Sequence, residues 1–226
     1  LIKEKLKKSL LSFASNTTSV DEGQYLFVLE ETETKELIGM SALYTNIGSY
    51  SPIYYYKLLD EKREKLPASL AEFSVPQQIL QVVPAGKGAT EIGTLYLKHE
   101  YRKEGLGPLL SLSRFLFAAT FPHLFADNIH ANMRGVFDEK GIPPFWEFFG
   151  SHFFDVDYNT VIDLIQHDKT LAMHLLPPLP LYHSLIAPEA RAVMGKTHTN
   201  TIPAIKMLNS EGFEWNHHID PFDAGP

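Results

Sequence analysis

The chain has 226 residues, 44% of them apolar and 12% aromatic, with 20 basic and 27 acidic residues and a net charge of −7. That length suits one large domain, or one domain with an elaboration, able to bury most of its apolar surface, and the composition is not that of a disordered chain. The acidic balance without a long basic run argues against nucleic acid, the absence of cysteine excludes disulfides and thiol chemistry, and no apolar run approaches the ~18 residues of a membrane span.

In chain order, Leu6, Leu10 and Phe13 predict an amphipathic helix over 1–13, with Lys3, Lys5, Lys7 and Lys8 on its solvated face. Residues 24–30 and 37–44 read as strands joined by the polar turn 31–36, hence a hairpin. Further strands are expected at 53–58 and 78–83, separated by a charged connection containing 60–65. The run 92–97 is the most strand-like of the middle, and a glycine-bearing turn and a strong helix over 108–120 follow it. A strand at 128–134 leads through a Gly/Pro loop to a short aromatic helix, 144–149, whose rings are read as core. A helix over 160–176 ends at the stiff 177–180 proline run. Helices at 188–194 and 202–210 end at Gly195 and Gly212, and 213–219 reads as a closing strand. No linker divides these elements, so 1–226 is expected to be one domain. Mixed strands followed by strand–helix–strand alternation predict an α/β or α+β fold around a central sheet.

The chemistry concentrates between the strand at 92–97 and the helix that follows. Arg102, Gly105 and Gly107 form Arg-x-x-Gly-x-Gly in a strand–turn–helix setting. The glycines allow close backbone approach to a ligand, and the helix start adds unpaired N–H groups and a positive dipole end. Such a turn suits a pyrophosphate, with Arg102 adding a charge-assisted contact. The same pattern also fits a surface loop that needs two flexible residues; the strand-to-helix position favours the anion. It is neither the dinucleotide fingerprint, which needs a third glycine, nor a P-loop. His217 and His218, adjacent on a strand, would face opposite sides, so no metal site is expected.

Here the sequence resembles the GCN5-related acyl-CoA N-acyltransferase superfamily, and within it the arginine N-succinyltransferase family. The narrower resemblance rests on Arg102–Gly107 with Leu109-Leu110-Ser111, Ser113-Arg114-Phe115, Met133-Arg134-Gly135-Val136, Asp138-Glu139, Pro144-Phe145-Trp146 and His152-Phe153-Phe154. Gly195, His198, Pro203-Ala204, Glu211-Gly212-Phe213, Ile219-Asp220 and Phe222-Asp223 continue it over nearly the whole chain. It implies a mixed, mostly antiparallel sheet flanked by helices, splayed where the strands at 92–97 and 128–134 part to admit a pantetheine arm. It also implies that the family's first strand and helix, and a C-terminal β-rich part, are missing from this chain, which opens on Leu1.

The resemblance further implies succinyl-CoA as co-substrate, no permanently bound cofactor, and transfer of succinyl to the α-amine of L-arginine. It places a succinyl-CoA contact at Leu95 and a proton-donating histidine at His198, on a polar turn where an imidazole suits proton transfer near neutrality. Arginine recognition needs a cation for a carboxylate and a carboxylate for the guanidinium. Arg134 is the candidate for the first, Asp138 and Glu139 for the second, against a structural ion pair and a solvated loop respectively. Asp220 and Asp223 match family positions without an assignable role. A cytoplasmic homo- or hetero-oligomer without membrane contact is expected. Ornithine as acceptor, and a non-catalytic CoA-binding module, are the alternatives.

Overall fold

The computed structural model describes residues 2–15, 23–61, 77–84, 87–102, 105–168 and 170–226. Lys103 and Glu104 of the glycine turn, and most of the charged connection after Asp60, lie outside the described residues. The strands are β1 (Gln24–Glu30), β2 (Leu37–Ile47), β3 (Tyr54–Asp60), β4 (Gln78–Pro84), β5 (Ala89–Leu97), β6 (Ile129–Ala131), β7 (Leu181–Tyr182) and β8 (His218–Ile219). The α-helices are α1 (Ile2–Ala14), α2 (Leu106–Thr120), α3 (Pro144–Phe148), α4 (Tyr158–His167), α5 (Leu171–Leu175), α6 (Pro188–Arg191) and α7 (Ile202–Ser210). None is long and apolar enough to cross a membrane.

The chain divides into two compact units. Unit 1 comprises residues 1–52, 86–132 and 204–211. Its sheet has the order β1-β2-β5-β6, antiparallel except for the parallel β5–β6 pair. The hairpin is present, with Tyr25 opposite Leu43 and Phe27 opposite Ser41. Its turn is closed by Glu31, whose Oε2 accepts from the N–H of Thr34 at 2.6 Å. Phe13 of α1 packs edge-on to Tyr25 at 5.2 Å and to Phe117 of α2 at 5.5 Å, so one aromatic cluster joins both helices to β1.

Unit 2 comprises residues 53–85, 133–203 and 212–226. Its sheet, β7-β4-β3-β8, is antiparallel throughout. Tyr56, Leu80 and Ile219 on the sheet pack with Phe145, Trp146 and Phe149 around α3, and with Val161, Phe222 and Ala224. The aromatic helix is therefore core, apart from Phe148, which is 39% exposed.

Several boundaries differ from the sequence reading. The expected helix 160–176 is two helices, α4 and α5, because Asp168 leaves helical geometry and its carboxylate takes the N–H of Thr170 at 2.9 Å. A short acidic side chain competes in this way with the helical ladder. Of 188–194 only Pro188–Arg191 is α-helical, of 213–219 only His218–Ile219 is strand, and of 128–134 only Ile129–Ala131 is strand. Helix α2 starts two residues before Pro108, so Gly107 belongs to its first turn.

Candidate functional site

In unit 1 the site is built on β5. Ala42 pairs with Gly93 while Met40 pairs with Tyr96, so three residue steps of β5 answer two of β2. This is a β-bulge. Thr94 carries it at φ 53°, an outlier for a β-branched residue, and its hydroxyl is hydrogen-bonded to the Tyr44 hydroxyl at 2.6 Å. The extra residue shifts the pleat by one, so Leu95 is half-buried and Leu97 buried, while Thr94 and Tyr96 are exposed.

The parallel ladder to β6 runs from Thr90–Ile129 to Ile92–Ala131 and stops. From Gly93 to Leu97, β5 pairs with β2 alone among the described residues. The strands thus part at the bulge, beside Leu95.

Beyond β5, Gly105 takes φ 80° as the N-cap of α2, a left-handed conformation that costs a residue with a Cβ about 1–2 kcal/mol. Among the described residues, a Cβ on Gly105 or Gly107 would meet nothing within 4 Å, which leaves room for an approaching anion. Arg102 is exposed, and its Nε donates to the Leu97 carbonyl at 2.9 Å, which ties its guanidinium back to the end of β5.

Sequence reading gave no task to Arg114. It is 2% exposed, and its guanidinium donates to the Ser111 carbonyl at 3.1 Å, the Ser111 hydroxyl at 2.7 Å and the Gly93 carbonyl at 3.4 Å. Burial lowers its pKa to about 10. It links α2 to the residue just before the bulge. The signal available in the sequence was a serine and an arginine one turn apart on a mostly apolar helix.

In unit 2, residues 133–138 run without regular structure, held from below by the chain's last residues. Met133 N–H donates to the Pro226 carbonyl at 2.8 Å, and Gly135 N–H to Asp223 Oδ2 at 3.0 Å. A Cβ on Gly135 would lie 2.1 Å from the Asp223 carbonyl oxygen, and one on Gly225 would lie 2.1 Å from the Met133 carbonyl oxygen. Only glycine permits this backbone-on-backbone approach.

Arg134 stands on that loop. Its carbonyl accepts the N–H of His198 at 2.8 Å and the hydroxyl of Thr197 at 3.1 Å. Its exposed guanidinium lies over the Phe137 ring at 4.0 Å, and the Phe137 ring is edge-on to that of His198 at 6.3 Å. Arg134 and His198, selected separately in the sequence, are therefore neighbours joined by Phe137, which was not selected. His198 is half-buried and its Nδ1 accepts the N–H of Asn200 at 3.1 Å. An amide N–H only donates, so Nδ1 is bare in the neutral ring and the hydrogen is on Nε2.

Asp138 is engaged in its own turn: Oδ1 accepts the N–H groups of Lys140 at 2.9 Å and Ile142 at 2.8 Å. Glu139 is exposed beside it.

Asp220 and Asp223 form a pair under the Arg134 loop. Asp220 Oδ1 accepts the N–H groups of Phe222 at 2.8 Å and Asp223 at 3.0 Å. Burial, then the neighbouring Asp223 charge, pushes Asp220 up to about 7. Burial also raises Asp223, opposed by N–H donation from Gly135 and Gly225 and by the Arg134 charge. Tyr158 is raised as well, first by burial and then by the two carboxylates.

Parted strands and a glycine-turned helix start are the features by which acyl-CoA N-acyltransferase-type folds hold a thioester carrier. The structure is similar to that of the arginine/ornithine succinyltransferase subunit AI from Pseudomonas aeruginosa, with TM-score 0.82 and 29% identity, covering 100% of this chain and 64% of that one. Arginine N-succinyltransferases from Salmonella paratyphi B and Salmonella newport are each 35% identical over 229 residues, covering 98% of this chain and 64% of their own length. The family model described as arginine N-succinyltransferase beta subunit matches residues 1–226. The chain belongs to the arginine N-succinyltransferase family, and it spans 64% of the length of these relatives.

Proposed function

We propose that this chain carries the acyl-CoA-binding core of an arginine N-succinyltransferase, which moves succinyl from succinyl-CoA to the α-amine of L-arginine. The observation that carries the reading is the open glycine turn at the end of the bulged, parted strand β5, in a chain that matches the family throughout.

The diphosphate of CoA is held by the turn from Arg102 to Gly107 and the first turn of α2, where unpaired N–H groups and the helix dipole favour an anion. The pantetheine arm runs along β5 where β6 has left it, which brings the thioester to Leu95. Main-chain N–H groups there stabilise the oxyanion that forms as the neutral α-amine of arginine attacks the carbonyl carbon. Collapse of the tetrahedral intermediate breaks the carbon–sulfur bond, the nitrogen loses a proton, and the CoA sulfur gains one. His198 serves that sulfur. Its Nε2–H points away from the Asn200 bond, and full proton donation uses the imidazolium form, in which Nδ1 also carries hydrogen and the Asn200 contact is given up. Arg134 is the clamp for a carboxylate, its guanidinium kept in place by Phe137. Asp138 and Glu139 are candidates for the guanidinium of the acceptor, with one Asp138 oxygen already committed to its turn.

No permanently bound cofactor enters these steps. A cytoplasmic, oligomeric enzyme is the corresponding expectation, supported by the cysteine-free chain and by the word subunit in the name of the Pseudomonas aeruginosa protein. Ornithine as an acceptor is a second reading, supported by that same name. Free thiol release from succinyl-CoA, with L-arginine and L-ornithine compared, tests both. Release with neither amine, by protein that binds succinyl-CoA, would leave a CoA-binding module.

A further inference from the structure

We propose that Asp223 is a positioning residue for His198 and for the Arg134 clamp, acting through the single peptide group that joins Arg134 to Gly135. The tasks of Arg134 and His198 rest on the acyl-transfer reading; the linkage between them and Asp223 rests on geometry alone.

The carbonyl of Arg134 and the N–H of Gly135 belong to one peptide unit. Resonance keeps that unit planar, and it is trans, so the two groups point in opposite directions. Asp223 Oδ2 accepts from the N–H end at 3.0 Å. The N–H of His198 and the hydroxyl of Thr197 donate to the carbonyl end at 2.8 and 3.1 Å. A carboxylate and the backbone that carries the imidazole are thus fixed to opposite ends of one rigid plane. Rotating that plane about its flanking bonds would stretch the contacts at both ends together. It would also swing the Arg134 Cα, from which the guanidinium reaches over the Phe137 ring at 4.0 Å. Polarisation acts in the same direction, because an N–H engaged by a carboxylate makes the carbonyl of its peptide a stronger acceptor.

Asp223 is itself held firmly enough to serve. Its other oxygen, Oδ1, accepts the N–H of Gly225 at 2.8 Å, and its own N–H donates to Asp220 Oδ1 at 3.0 Å. Gly135 is buried directly against its backbone. The residue type matters as well as the contact. A carboxylate accepts at both oxygens, whereas an asparagine has one acceptor and turns an NH₂ donor toward the second N–H. The carboxylate charge and the Arg134 cation also attract each other, which favours the ionised form against the burial that opposes it.

Amide hydrogen exchange and thiol release at pH 7, on wild type and Asp223→Asn, test the linkage and its use. Exchange at the His198 amide should quicken at least about tenfold, as befits a lost hydrogen bond to a charged group, while amides of the β3–β4 ladder keep their rates. In the same variant, kcat for thiol release should fall about tenfold. Made in a His198→Ala background, the substitution should lower kcat less than threefold, since the two residues act on one step. An unmoved His198 amide, equal quickening throughout unit 2, or a full further loss in the His198→Ala background overturns the proposal. Should Asp223→Asn fail to fold, Thr197→Val loosens the same peptide from its carbonyl end. The Gly135 amide, still facing an intact Asp223, should then exchange about fivefold faster, and a change under twofold overturns the proposal. A wild type that releases no thiol counts against the acyl-transfer reading, and the exchange rates still decide the linkage.

Discussion

The backbone N–H of His198 donates to the carbonyl of Arg134 at 2.8 Å, and the Thr197 hydroxyl reaches the same oxygen at 3.1 Å. The imidazole is thereby held from its main chain, while Asn200 selects the tautomer. His198→Ala removes the ring and leaves these anchors. We expect kcat for thiol release to fall by about 10²- to 10⁴-fold, the usual contribution of a general acid, with the KM for succinyl-CoA changed little. A variant as active as wild type removes His198 from the mechanism.

Gly107 separates binding from stability. It lies in the first turn of α2, and among the described residues a Cβ there would meet nothing within 4 Å. Gly107→Ala should therefore leave stability unchanged or raise it by about 0.5–1 kcal/mol through helix propensity. It should also weaken CoA about tenfold, because the methyl occupies the space the diphosphate needs. Thermal denaturation and a CoA titration read the two effects. Unchanged CoA affinity would move the diphosphate away from this turn.

The opposite result is expected for Gly225→Ala. There a Cβ would lie 2.1 Å from the Met133 carbonyl oxygen and 2.6 Å from the Gly135 nitrogen, both main-chain atoms that cannot swing aside. The cost should reach about 3 kcal/mol or more, at the top of the overpacking range. In chemical denaturation the midpoint should fall markedly. A midpoint equal to wild type would contradict this packing of the last residues beneath the Arg134 loop.

The Asp220–Asp223 pair makes stability depend on pH. Asp220 sits at about 7 in the fold against 3.8 for an unperturbed aspartate, so the folded state favours its protonated form. That contribution is complete below about pH 4 and is lost as pH rises through 7. Asp220→Asn keeps the oxygen that accepts from Phe222 and Asp223 but cannot ionise. Relative to wild type, the variant should gain several degrees in melting temperature between pH 4 and pH 8. Parallel pH profiles for the two proteins would show that Asp220 titrates normally.

Local structure was read well wherever the pattern is local. The hairpin β1–β2, the strand β4 and the helices α1, α2 and α7 follow from alternation, apolar spacing and glycine stops. Reading failed where a single polar side chain outbid the ladder, as at Asp168, or where a strand is too short to show a period, as at β6 and β8. The Arg102–Gly107 turn stood out because glycine spacing between a strand and a helix is itself a sequence pattern. Phe137 and Arg114 did not, since an aromatic in a loop and a cation on an apolar helix acquire meaning only from what they touch.

By itself the sequence determined the family, through motif blocks that resemble it along nearly the whole chain, and the α/β character and the position of the glycine turn, which rest on residue types at short, regular spacing. Tertiary structure decided that the strands divide between two sheets, that Thr94 is forced into a bulge where β5 leaves β6, and that the last residues of the chain support the loop of Arg134. Such pairings depend on which distant surfaces exclude water together and on which buried donors find acceptors. No spacing along the chain encodes either one.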